Sequence, residues 1–165
     1  MGDIPEPGTC LTERKKTAVR ESWAKMVSTW KTNGVEFFFR LFTTFPNIRA
    51  YFKTLDGLDQ DALKASSKLR AHAINFKHSV SSFIDNLDDI DCLVILIHKV
   101  TENHFRRNIT PKQFEDAFSL FTTFVGDVQE VDEFTLNAWR ATLATVLSVL
   151  TEHMKTLEAQ MDGHA

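Results

Sequence analysis

The sequence lacks almost every mark of a secreted, membrane-bound or nucleic-acid-binding chain. Two cysteines in 165 residues, Cys10 and Cys92, cannot build a disulfide framework and suit a reducing compartment. The longest strongly apolar run, residues 92–97, falls far short of the ~20 residues a membrane-spanning helix needs. The opening Met1-Gly2-Asp3-Ile4-Pro5-Glu6 is acidic and carries no apolar stretch behind it, so no secretory signal is expected. Gly2 invites a myristoylation reading, but Glu6 stands where that motif takes Ser or Thr. Charge of one sign is missing too: 19 Lys+Arg against 22 Asp+Glu leave −3, which argues against a nucleic-acid partner. The location these absences imply is the cytoplasm.

Hydroxylated aromatics are scarce as well. One tyrosine accompanies fourteen phenylalanines. That load fits a phenylalanine-packed core, and it equally fits an apolar pocket for a large flat ligand.

Four prolines and six glycines give few places to break a helix. With 43% hydrophobic and 25% charged residues the chain has the balance of an ordinary soluble globule. No repeat or linker divides it. The expectation is one all-α domain over residues 11–158, behind a flexible tail at 1–10 and before a loose end at 159–165, with six major helices and two short ones. Thr12 caps a first helix running to about Trp30; Thr32-Asn33-Gly34 interrupts the pattern; a second helix runs from Val35 to before Pro46, which opens a short third. A small helical turn follows near residues 61–64. Ser66 or Ser67 caps a long helix to about Leu87, whose apolar stripe reads Leu69, Ala73, Phe76, Val80, Phe83, Leu87. The next spans about 90–105 with Leu93, Ile97 and Val100 on one face. Thr110-Pro111-Lys112-Gln113 is a capping box. The last helix begins near Asp132 and ends about Leu157.

Two of the six histidines lie where a polar ring is out of place. His72 follows Leu69 by three and precedes Phe76 by four; His104 follows Val100 by four and Ile97 by seven. Either could be a hydrogen-bonded core residue. Two such rings on successive helices can also face each other across a gap. No Cys or carboxylate cluster at zinc spacing accompanies them. An apolar cofactor whose metal takes one ligand on each face fits both the histidines and the phenylalanines, and haem is such a cofactor. His98, six residues before His104 and opposite its stripe, is the rival ligand.

Gly34-Val35-Glu36-Phe37-Phe38-Phe39-Arg40-Leu41-Phe42, then Phe45-Pro46 and Tyr51-Phe52, resembles the second and third helices and following corner of globins. Leu69-Arg70-Ala71-His72-Ala73 is similar to their distal-histidine segment, and residues 103–111, from Asn103-His104-Phe105 to Thr110-Pro111, to their proximal one. Ala138-Trp139 resembles the start of many invertebrate final helices. The likeness covers about residues 11–157 in order and is nearest to invertebrate, especially molluscan, intracellular globins.

That resemblance implies the globin fold, haem b, His104 as proximal iron ligand, His72 as distal histidine and Phe52 against the haem face. It implies Phe38 and Phe76 over the distal pocket, with Val100, Ile109 and Phe114 on the proximal side and haem edge. Phe42 and Phe118 complete the expected cofactor contacts. Phe76 departs from the usual Val or Ile and, with Phe38, should shrink the distal space. The implied function is reversible dioxygen binding for storage or delivery, by a monomer or homodimer that takes dioxygen and other diatomic gases. The alternative is a six-coordinate bis-histidyl globin with a redox, nitric-oxide, nitrite or electron-transfer role. A haem-free helical interaction module is the third reading. No catalytic residue is expected. Cys10 and Cys92 read as plain thiols or as an intermolecular link; Arg106-Arg107 as a solvated helix end or an anion partner; His78 and His153 as surface residues; Trp23, Trp30 and Trp139 as core packing.

Overall fold

The computed structural model describes residues 3–163, so the myristoylation reading at Gly2 and the last two residues of the expected loose end lie outside the described residues. The described residues form eight α-helices and no strand: α1 (Glu13–Ser28), α2 (Trp30–Thr44), α3 (Pro46–Arg49), α4 (Gln60–Ala65), α5 (Ser67–Asp85), α6 (Ile90–Phe105), α7 (Pro111–Val128) and α8 (Glu133–Asp162). Six long helices and two short ones are what the periodicity implied. Their starts follow from short polar side chains that satisfy first-turn N–H groups. Thr12 accepts from the Lys15 amide at 3.2 Å, Asp89 from Cys92 at 3.0 Å and Asp132 from Thr135 at 2.8 Å. Gln113 accepts from the Thr110 amide at 2.9 Å, with Pro111 opening α7.

One boundary differs from expectation for a physical reason. The break between α1 and α2 falls at Thr29, and Asn33-Gly34 lies inside α2. Gly34 serves close packing rather than a turn. A Cβ there would lie 2.6 Å from Trp30 Nε1 and 3.1 Å from the Ala73 Cβ on α5. Its absence lets the Trp30 indole lie between α2 and α5 and donate to the Ala73 carbonyl at 2.8 Å. Two ends also shift: α5 stops at Asp85, before Leu87, and α8 continues past Leu157 to Asp162.

Residues 6–11 are fastened rather than loose. The Cys10 amide donates to the Glu6 carbonyl (2.7 Å) and the Glu6 amide to that of Leu11 (2.9 Å), while Thr145 of α8 donates its hydroxyl to the Thr9 carbonyl (2.8 Å). Thr9 and Leu11 are buried. Lys16, itself only 3% exposed, holds Glu6 at 2.6 Å, Asp88 at 2.7 Å and Glu13 at 3.0 Å, and Arg20 adds a second bond to Asp88 at 2.6 Å. Burial works against the Lys16 charge, but the carboxylates together outweigh it and raise its pKa. The Lys16 and Arg20 bonds hold the Asp88 carboxyl below its ordinary range.

Packing divides the interior into two apolar clusters. One gathers Trp23, Trp30, Phe37, Phe38, Phe121, Phe124 and Trp139 around α2, α5 and α7. The other gathers Leu93, Ile97, Phe114, Val146 and Leu150 around α6 and α8. All three tryptophans are core residues, as the sequence implied. A cavity bounded by residues of both clusters lies between α5 and α6.

Gly34→Ala is expected to destabilise the chain by about 1–2 kcal/mol, overpacking exceeding the gain in helix propensity; equilibrium urea unfolding measures it. Asp88→Asn is expected to cost about 1 kcal/mol at pH 7. The native pKa of Asp88 is depressed, so its contribution is present above the unfolded pKa and lost as pH falls through the native one. The gap between wild type and variant should therefore close on titration from pH 5 to below pH 3, read from urea midpoints.

Candidate functional site

The walls of the cavity come from six parts of the chain. Phe37, Phe38 and Leu41 come from α2, and Ile48 and Phe52 from the α3 region. His72, Asn75, Phe76 and Ser79 come from α5, and Ile97, Val100 and His104 from α6. Ile109, Gln113, Phe114, Ala117 and Phe118 lead into and along α7, and Val146 and Leu150 belong to α8. The space is about 960 Å³ including its open mouth.

The structure brings His72 and His104 to this one cavity from two helices, because the turn at residues 86–89 folds α6 back beside α5. Their settings differ. His104 Nδ1–H donates to the Val100 carbonyl one turn earlier at 2.8 Å, which assigns the proton to Nδ1 and leaves the Nε2 lone pair unshared. Phe114 meets its ring edge-on, centroids 4.9 Å apart. His72 has no hydrogen-bond partner among the described residues. Two perpendicular rings hold it, Phe52 at 4.7 Å and Phe38 at 4.9 Å.

Burial, then the neighbouring His104 and Arg107, push the His72 pKa down to about 4. Burial lowers that of His104 too, Arg107 adding to it and the Val100 bond opposing it. Both rings are neutral at pH 7, the state in which imidazole offers a lone pair to a metal. Two neutral nitrogen donors, brought by different helices to one apolar space, form a donor set that fits haem and does not fit a bare hydrated cation. Consistent with that, the described residues contain no cluster of three or more His, Cys, Asp or Glu that could hold a metal ion.

Phe76 is pinned: stacked on Trp30 at 5.6 Å and touching Phe37 (5.3 Å), Phe121 (5.5 Å) and Phe38 (5.6 Å). Phe76 and Phe38 line the same cavity as His72. Phe42 does not face the cavity; it backs Phe52 (4.9 Å) and Phe38 (6.0 Å) from behind. Phe38, Phe52, Val100, Ile109, Phe114 and Phe118 all line the space. His98, the rival ligand, does not. It stacks on His153 of α8, centroids 3.7 Å apart, and His153 Nε2 lies 3.2 Å from Glu102. His153 is therefore packed rather than on the surface, its side chain 15% exposed. Both cysteines are free thiols, Cys10 exposed and Cys92 half-buried. Arg107 donates to the Asn103 carbonyl.

Asn75, Ser79, Gln113, Val146 and Leu150 were not singled out from the sequence. The first two share a face with His72 at three- and seven-residue spacing, a signal that was present. Val146 and Leu150 follow each other by four on α8, but nothing in the sequence says which face of that helix meets α6.

The globin family model matches residues 35–150. The chain belongs to the globin family. It is 32% identical to Hemoglobin-3 of Phacoides pectinatus over 88% of this chain and 95% of that one. Globin-1 of Anadara broughtonii is 32% identical over 85% and 94%, and the Globin of Nerita albicilla 28% over 89% and 95%. These molluscan relatives agree with the likeness seen in the sequence, and the family implies a haem cofactor and diatomic gas ligands. Among the described residues no helix is long and apolar enough to cross a membrane.

Phe76→Val in this globin should cost about 2 kcal/mol, the transfer and cavity terms together, and should widen the space beside His72. Urea unfolding checks the first, and faster gas association after flash photolysis of the haem-loaded protein checks the second.

Proposed function

We propose that this globin binds haem b in the α5–α6 cavity, with His104 as the proximal iron ligand and His72 on the distal side, and that it takes up dioxygen reversibly. The observation that carries this reading is the 2.8 Å bond from His104 Nδ1 to Val100, which leaves the lone pair of a neutral ring unshared in the cavity that His72 also lines. When bound, haem would supply an iron atom able to take an imidazole nitrogen and a diatomic gas. The chain does the rest. Val100 fixes the ring plane and tautomer of His104. Phe114, Ile109, Phe118 and Val100 give the cofactor an apolar bed on the proximal side and edge. Phe52, backed by Phe42, lies against its distal face, and Phe38 with Phe76 keep water from the distal space. His72, neutral at pH 7, offers one N–H donor there, which favours a ligand whose outer atom carries partial negative charge.

A second reading has its own observation. Nothing hydrogen-bonds His72 away from the iron position, so the ring is free to act as the sixth ligand. Apparent gas affinity would then fall by the fraction of time the site is so occupied, and a redox or nitric-oxide role gains weight. A relative whose name is hemoglobin favours the first reading. A cytoplasmic monomer or homodimer, with the haem-binding domain at residues 11–158, completes the proposal.

The test is the visible spectrum of the reduced protein. His104→Ala should lose most of its haem on gel filtration; full retention with an unchanged spectrum overturns the ligand assignment. A single broad band in ligand-free ferrous wild type marks five-coordinate iron and the gas-binding reading. Split sharp bands that vanish in His72→Leu mark the second.

A further inference from the structure

The His72 ring has no hydrogen-bond partner among the described residues, and its aromatic contacts are Phe38 and Phe52. Phe38 belongs to a long helix, buried at 2% exposure, and is not free to move. Phe52 is different. It sits just after α3 in a segment, residues 50–59, that contains no helix of its own. What fixes this segment fixes Phe52, and through it the edge against which His72 rests.

Arg49, the last residue of α3, does so twice. Its carbonyl accepts the Phe52 amide at 2.8 Å. Its guanidinium bridges the carbonyls of Leu55 and Leu58: Nη2 donates to both, at 2.8 Å and 2.6 Å, and Nε adds a longer bond to Leu55 at 3.3 Å. The Phe52 carbonyl in turn accepts from the Leu55 and Asp56 amides at 2.7 Å and 3.0 Å. Gly57, with φ +80° and open space around it, makes the reversal that brings both carbonyls to one donor. Among the described residues no other side chain donates to the backbone of this segment, and Arg49 has no carboxylate partner. A rigid fork of donors suits two carbonyls at once, which a lysine ammonium on a flexible stem does not reproduce.

We propose that Arg49 is the positioning residue for His72. By clamping residues 52–58 it holds the Phe52 ring against the imidazole and so sets how far His72 swings over the cofactor. The proposal rests on the haem reading above and names the element that governs its distal side.

The experiment uses the full chain with Arg49→Met, which keeps the aliphatic stem and removes the donors, and Arg49→Lys, each in wild-type and His72→Leu backgrounds. Limited trypsin digestion of the haem-free protein at Lys53 reads the clamp directly and should accelerate in Arg49→Met, less in Arg49→Lys. In the haem-loaded protein, transfer of haem to an acceptor apoglobin should accelerate roughly tenfold in Arg49→Met, with an altered ferrous spectrum and partial recovery in Arg49→Lys. In the His72→Leu background the same substitution should change the spectrum little and accelerate haem transfer clearly less, because only the loosening of Phe52 against the cofactor remains. Equal acceleration in both backgrounds, or none in either, overturns the proposal. Haem uptake by wild type is read first. A chain that takes up none overturns the haem reading and the role of Arg49 with it, whereas normal uptake with an inert Arg49 overturns the positioning role alone.

Discussion

The close crossing of α2 and α5 is the constraint from which the pocket follows. A glycine at 34 lets the Trp30 indole lie flat between the helices and bond the Ala73 carbonyl. Ala73 is the neighbour of His72, and Trp30 stacks on Phe76 one turn further along. One contact therefore sets the height and rotation of the helix face that carries the distal histidine. Phe37 and Phe38 come from the same helix as Gly34, so the aromatic wall and the helix it confronts are positioned together. Ring pairs of this kind contribute about 0.5–1.5 kcal/mol each beyond their buried area, and Phe76 makes four with other aromatic residues.

The two histidines divide labour through their neighbours rather than through chemistry of their own. Both are neutral and largely buried. One is locked by a backbone carbonyl on its own helix, so its orientation survives any motion that leaves α6 intact. The other is held by packing, and a packed ring hops between rotamers where a bonded one does not. Stiffness on one side and latitude on the other is the arrangement a site needs when one ligand is permanent and the other is exchanged.

Much of this was legible in the sequence. The eight helices, the capping box at Thr110–Gln113 and the pairing of His72 with His104 follow from spacing and cap residues, which act locally. What escaped was set by tertiary contact. Gly34 read as a break because a lone glycine within a helical pattern signals either a turn or a close approach, and only the partner helix decides which. Phe42 was expected at the cofactor from the globin resemblance, yet it packs on Phe52 and Phe38 and is absent from the cavity lining. His98 and His153 are far apart in sequence, so their stacking left no local trace. The acidic first residues resemble a solvated tail until the buried ammonium of Lys16 supplies them with a partner.

That last feature bears on how the chain acquires its shape during synthesis. Thr9 is buried under the hydroxyl of Thr145, and Glu6 shares Lys16 with Asp88. A ribosome delivers residue 9 long before residue 145, so this stretch must wait for one made much later. Its docking is a closing event. Until α8 has left the exit tunnel, Leu11 and the Lys16 stem remain exposed on a nascent helix, and that early-made segment stays open to aggregation and proteolysis.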